Sequence, residues 1–123
     1  MKLRIKGNSI RLRLSQTEVN TFQAFGEVEE STTFPSGDVL GYSLKRHANR
    51  EFQADLAGSS IQILVPEEKA NTWKRDDQVS MESSVLLSDN QPLRILIEKD
   101  FACLTERKHE DESDNFPNPN ITC

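Results

Sequence analysis

The chain has 123 residues, room for one hydrophobic core and not for two independent ones. Its net charge of −5 argues against a nucleic-acid partner, and no apolar run approaches the roughly 20 residues that cross a bilayer. No apolar stretch follows the N-terminal charges as a signal peptide requires, so a cytoplasmic protein is expected, with Cys103 and Cys123 as thiols rather than a disulfide framework.

Apolar residues are 35% of the chain, but they gather in periodic runs, so the body is expected to be ordered. The first run, Leu3-Arg4-Ile5-Lys6, alternates apolar with basic; Gly7-Asn8 suits a two-residue turn, and Ile10-Arg11-Leu12-Arg13-Leu14 alternates again. This is a β-hairpin pattern, a turn pair tolerant of positive φ between two period-2 strands. Ser15 with Glu18 three residues on forms a capping box, Val19 and Phe22 (with Phe25 a weaker third) fall on one helical face, and Gly26 is placed to end the helix. Two more strands are expected at about 27–34 and 39–46, joined at Pro35-Ser36-Gly37.

The pattern then recurs. A shift of 51 residues carries Gly7 onto Gly58, Ser9 onto Ser60, Ile10 onto Ile61, Asn20-Thr21 onto Asn71-Thr72, Val28 onto Val79 and Asp38 onto Asp89. Leu12 and Leu14 meet Ile63 and Val65, and Phe22 meets Trp73. After Asp38 the second copy is expected to gain two residues, so that Leu40, Tyr42 and Leu44 match Leu93, Ile95 and Ile97. The second copy thus reads as a hairpin around Gly58-Ser59, a helix opened by Pro66-Glu67-Glu68, and strands at about 78–87 and 93–99 turning at Ser88-Asp89-Asn90.

The expected fold class is therefore α+β: internally duplicated ββαββ units giving a mostly antiparallel sheet or barrel with two short helices. Repeat 1 covers about 1–47 and repeat 2 about 51–100 of one pseudo-twofold domain, 1–103, with 104–123 an acidic tail containing Pro and Asn. Two sheets related by a pseudo-twofold axis and one closed barrel both satisfy the pattern; closure would remove exposed strand edges. The strand edges, or the strand Met81–Leu87, could also serve self-association, with no subunit number implied.

Charge is uneven. Lys2, Arg4, Lys6, Arg11 and Arg13 have no acid among residues 1–14, whereas 106–114 carries Glu106, Glu110, Asp111, Glu112 and Asp114. With the apolar strand positions inward, Arg4, Lys6, Arg11, Arg13, Glu27, Glu29, Lys45, Asp55, Glu82, Arg94 and Glu98 share the other faces. An anion-binding interior would resemble the triphosphate tunnel enzymes, whose motif is a Glu-x-Glu-x-Lys strand near the N-terminus. The nearest run here, Glu27-Val28-Glu29-Glu30-Ser31, lacks the lysine and follows a helix. A solvated face with cross-strand ion pairs is the simpler reading.

In the tail, Cys103 and His109 stand at a spacing that matches no structural zinc site, and Asp111-x-Ser113-x-Asn115 is followed by Phe116 where a calcium loop needs glycine. A mobile acidic tail is the expected state, with docking through Phe116 and the prolines as the alternative. Cysteine catalysis would need His47 or His109 beside Cys103, whereas Cys103 after Phe101-Ala102 reads as a buried, inert thiol. No phosphate loop, dinucleotide fingerprint or His-Glu-x-x-His pattern occurs.

Arg4-Ile5-Lys6-Gly7-Asn8-Ser9-Ile10-Arg11-Leu12-Arg13-Leu14 at the start, with Glu98-Lys99-Asp100-Phe101-Ala102-Cys103-Leu104 and Glu110-Asp111-Glu112-Ser113-Asp114-Asn115-Phe116-Pro117-Asn118-Pro119 near the end, resembles a small bacterial protein family of unknown function. The resemblance implies no activity, cofactor or partner, but it marks the tail as a family feature. It adds Cys103, Arg107, Glu110, Asp111, Asp114 and Asn115 to Arg11 and Arg13 as candidate binding residues, with no catalytic residue, metal ligand or cofactor expected. A non-enzymatic binding or accessory module with an unidentified protein partner is the leading expectation. A metal-dependent or phosphate-handling enzyme, using the charged strand face or the tail carboxylates, is the alternative.

Overall fold

A computed structural model describes residues 1–75 and 77–101 and, in the tail, Asp114 and Phe116. The elements run β1 (Lys2–Ile5), β2 (Ser9–Leu14), α1 (Gln16–Phe25), β3 (Glu27–Thr33), β4 (Val39–His47), β5 (Gln53–Ala57), β6 (Ser60–Pro66), α2 (Glu67–Trp73), β7 (Ser80–Leu86) and β8 (Pro92–Lys99). This is the expected α+β order of two ββαββ stretches.

The local reasons are those of the sequence. Ser15 sits extended before α1, its hydroxyl accepting from the Glu18 N–H while the Glu18 carboxylate accepts from the Ser15 N–H at 2.9 Å. Gly26 ends the helix at φ 76°, a left-handed value that costs a side chain with a Cβ about 1–2 kcal/mol. α2 has no side-chain cap; Pro66, with φ already at −56°, opens it instead.

The strands form two four-stranded sheets, in the orders β1-β2-β8-β7 and β3-β4-β6-β5. The closed barrel is not formed: among the described residues no ladder joins one sheet to the other. The assembly is also more interlaced than hairpin reading foresees. Each sheet takes its first hairpin from one half of the chain and its second from the other, joined centrally by a parallel pair, β2 with β8 and β4 with β6. Neither half can complete a sheet alone.

The registers of the two halves correspond. Leu12 lies opposite Ile97 in one sheet, and Ile63 opposite Leu44 in the other; Ile10 opposite Ile95 is echoed by Ile61 opposite Tyr42. One expectation is corrected. The two extra residues of the second half fall between α2 and β7, not after Asp38. Met81, opposite Ile97, therefore occupies the place of Val28, opposite Leu44, while Val79 lies outside β7 and is 40% exposed. The cause is helix length. α1 continues three residues past buried Phe22, whereas α2 stops at Trp73 and returns through a longer loop. Beyond that point the hairpins match turn for turn. Phe34 N donates to Asp38 O as Leu87 N does to Gln91 O, both at 2.8 Å, and the left-handed position is Gly37 in one and Asn90 in the other.

The inward faces of both sheets share one core with the helices. Leu12, Leu14, Ile95 and Ile97 come from one sheet, Leu44, Ile63 and Val65 from the other, and Phe22 and Trp73 meet edge-to-face at 6.1 Å between them. Each such side chain, fully withdrawn from water, contributes about 1.5–3 kcal/mol.

Candidate functional site

With Leu12, Leu14, Ile95 and Ile97 turned into the core, the alternate residues of the same strands face outward. The registers set them in rows: Lys2, Arg13, Glu98 and Ser80; then Arg4, Arg11, Leu96 and Glu82; then Ser9, Arg94 and Ser84, with Lys6 just beyond the end of β1. Two like-charged pairs, Lys2 with Arg13 and Arg4 with Arg11, stand directly opposite each other in the β1–β2 ladder. Such pairs destabilise a sheet unless something neutralises them.

Part of the neutralisation is internal. Arg11 Nε donates to Glu98 Oε1 at 2.7 Å, with its Nη2 on the same oxygen. Arg13 Nε lies 2.9 Å from that oxygen, and Arg13 Nη2 lies 3.6 Å from Asp100 Oδ1. Lys2 Nζ pairs with Asp100 Oδ2 at 3.0 Å. The fit is incomplete: Arg13 Nε is close enough for an ion pair but not aligned as a hydrogen bond, and among the described residues neither it nor Asp100 Oδ1 has a hydrogen-bond partner, although both atoms are buried. Farther along the face Arg4, Lys6 and Arg94 make no ion pair among the described residues. Arg4, Lys6, Ser9, Arg11 and Leu96 line an open groove of about 190 Å³ there.

The tail meets the body beside this network. Asp114 Oδ1 accepts from Thr17 N at 3.2 Å and from Thr17 Oγ1 at 2.8 Å, and its carbonyl accepts from Gln16 N at 2.9 Å, so Asp114 satisfies free donors in the first turn of α1. Hydrogen bonding from the Ser15 side chain, and then from Thr17, holds its carboxyl below the usual range. Two residues on, Phe116 N donates to Asp100 O at 2.9 Å, and the Phe116 ring packs edge-to-face on Phe101 at 5.7 Å. Lys99 Nζ, on a buried side chain, lies 5.4 Å from the Phe116 ring and 5.9 Å from Trp73, and it donates to Arg75 O at 2.9 Å. Asp114 and Phe116 are thus docked, as in the alternative to a mobile tail.

A depressed carboxyl pKa implies a contribution to stability that is complete at neutral pH and is lost as acid protonates the folded protein. Asp114→Ala is expected to lower the melting temperature at pH 7 and to have no effect once the pH is below the folded value. Phe116→Ala is expected to cost about 1–2 kcal/mol at either pH, from lost apolar burial and ring contact.

The structure brings Arg11 and Arg13 together on Glu98, with Arg13 also near Asp100, and places Asp114 separately on the first turn of α1, with Phe116, two residues on, bonded to Asp100. Cys103, Arg107, Glu110, Asp111 and Asn115 lie outside the described residues. It does not join Glu27 and Glu29 to the arginines; they face outward from the other sheet. Lys99 and Asp100 carry no site signal of their own in the sequence beyond lying in the end motif. Yet the alternation Leu93, Ile95, Ile97 places Lys99 on the core side, where a lysine needs partners. Among the described residues no group of three or more His, Cys, Asp or Glu side chains is arranged to hold a metal ion, and no helix is long and apolar enough to cross a membrane.

The chain matches a family of unknown function (DUF7009) over residues 1–120. It belongs to that family. No curated protein and no solved structure matches it. The family match takes in both the basic face and the docked tail residues.

Proposed function

We propose that the protein is a non-enzymatic binding module of the bacterial cytoplasm, whose partner surface is the basic outer face of the β1-β2-β8-β7 sheet and whose partner presents an acidic polypeptide segment. The bacterial setting rests on the resemblance of the two end motifs. The corresponding registers of the two halves support reading the chain as an internal duplication. One observation carries the binding reading: Arg4 and Lys6 line a groove and Arg94 stands exposed on the same face, none of them in an ion pair among the described residues, while Arg4 also faces Arg11 across the ladder. An incoming carboxylate row supplies the missing charge.

Nucleic acid fits the face less well. It carries no aromatic platform for bases, and the cations are interrupted by Glu82 and Glu98. The barrel form of the phosphate-handling alternative is less favoured, since the Glu27–Glu29 strand and the arginines sit on separate sheets; its tail-carboxylate form falls mostly on residues outside those described.

A fluorescent oligo-glutamate peptide tests the reading. It is expected to bind at low salt and to weaken steeply as the Debye length falls to about 8 Å at physiological ionic strength. Lys6→Glu with Arg94→Glu should lower the affinity at least tenfold, about 1.4 kcal/mol. A duplex oligonucleotide of equal charge should bind more weakly than the peptide. Equal peptide affinity of wild type and variant would overturn the reading.

A further inference from the structure

Beyond the face lies its edge. Among the described residues β1 is an outer strand of its sheet, with one side unpaired. Its outward residues are Lys2 and Arg4, and its inward ones are Leu3 and Ile5, the latter 55% exposed. Of the four edge strands it alone is basic; β3 shows Glu27 and Glu29 outward, β5 Asp55 and β7 Glu82. An exposed edge invites another strand, and charge is the usual guard against it. Here the guard is selective. β1 repels a second β1, and β3 repels a second β3, but the two attract each other.

The match extends to side-chain alternation. With Leu3 set beside Val28, Lys2 and Arg4 stand opposite Glu27 and Glu29 whichever direction the strands run, so cations meet carboxylates on one face and Leu3 meets Val28 on the other; Lys2 already holds Asp100, and Arg4 is the cation with no ion pair among the described residues. β3 has capacity to spare: Glu27 has only Lys45, at 3.6 Å, and Glu29 has no ion pair among the described residues. The two strands also lie on one side of the fold. Tyr42 Oη of β4 donates to the Met1 carbonyl at 2.8 Å, and the Met1 ammonium pairs with Glu18 and with Glu30 of β3. Two copies related by a twofold axis can therefore offer both joins together, which closes the assembly at two rather than extending it into a fibre.

We infer that the protein self-associates as a twofold dimer in which β1 of each copy adds to β3 of the other, selected by the basic and acidic outward residues of the two edges. Dimerisation shares Arg4 with the acidic-segment reading above but makes no use of Lys6 or Arg94, and β3 plays no part in that reading, so substitutions at Lys6 and Arg94 test that reading and substitutions at Glu27 and Glu29 test the dimer.

Sedimentation of the full chain tests it. Wild type is expected at twice the chain mass, Lys2→Glu/Arg4→Glu and Glu27→Lys/Glu29→Lys each at the single mass, and an equimolar mixture of these two variants at the double mass. A chain carrying all four substitutions should again be dimeric, and Arg94→Glu, on the same sheet but away from the edge, should leave the mass unchanged. The milder pair Arg4→Glu and Glu29→Lys replaces any double variant whose circular dichroism is not that of the fold. Wild type monomeric at millimolar concentration, dimers indifferent to the edge charges, or a mixture that stays monomeric would each overturn the inference.

Discussion

Trp73→Ala is expected to bring the fold close to unfolding, at a cost of about 3–5 kcal/mol against a total that for domains of this kind is about 5–15 kcal/mol. Three contacts fail at once. The ring is fully buried and closes on Phe22 edge-to-face, joining the two helices at the centre of the core. Its Nε1 donates to the Val79 carbonyl at 3.2 Å, which anchors the longer loop between α2 and β7. Its face lies 5.9 Å from the Lys99 ammonium, which also stands over Phe116, so the tail seat rests on the same side chain. Urea denaturation followed by backbone circular dichroism measures the loss; fluorescence does not serve, because Trp73 is the one tryptophan. Trp73→Phe keeps most of the volume but leaves the Val79 carbonyl without its donor. It should cost less, roughly 1–3 kcal/mol. A variant of either kind with wild-type midpoints would mean that the core does not close on this ring.

That dependence explains which features could be read from sequence. Alternation in Leu3–Lys6 and Ile10–Leu14, the Ser15–Glu18 box and Gly26 act over a few residues, and each of them specified its element correctly. The offset of 51 residues was equally legible through β6 and α2, where Leu12 and Ile63, or Phe22 and Trp73, take matching places. It failed where a length change had to be located. Val79 and Met81 are both apolar and two residues apart, so the period-2 pattern is satisfied by either, and only burial beside Ile97 selects Met81. The exchange of hairpins between sheets was beyond reach for another reason. Which strand lies next to β2 depends on long-range packing, and Ile95 and Ile97 would pair as well in an antiparallel ladder within their own half.

The site followed the same division. Arg11 and Arg13 were visible as outward residues of an alternating strand, and Asp114 as part of an end motif. What brings Arg11 and Arg13 together, with Phe116 docked alongside, is the end of β8. There the strand passes Glu98, turns Lys99 inward beneath Phe116 and gives Asp100 to Lys2 and Arg13. A single carboxylate oxygen on Glu98 serves two guanidinium groups, an arrangement that sequence spacing of 85 or more residues between partners does not announce.

Glu98→Gln separates a structural from a functional role for that arrangement, because the two predict different pairs of outcomes. Gln keeps the shape but removes the charge shared by Arg11, at 2.7 Å, and Arg13, at 2.9 Å, on a side chain that is only 14% exposed. Stability is expected to fall by about 1–3 kcal/mol, as when one partner of a partly buried ion pair is lost. Binding should move the other way. With Glu98's charge gone, Arg11 joins Arg4, Lys6 and Arg94 as a cation without an ion pair among the described residues, Arg13 keeps only Asp100, and the affinity for an acidic peptide should rise about threefold to tenfold at low salt. A face that serves only to dress the sheet would give the loss of stability with no gain in affinity. The measurement is a peptide titration at a temperature well below the variant's melting point, so that the unfolded fraction does not mask the gain. Simultaneous loss of stability and of binding would show that Glu98 orders the arginines for the partner rather than withholding them from it.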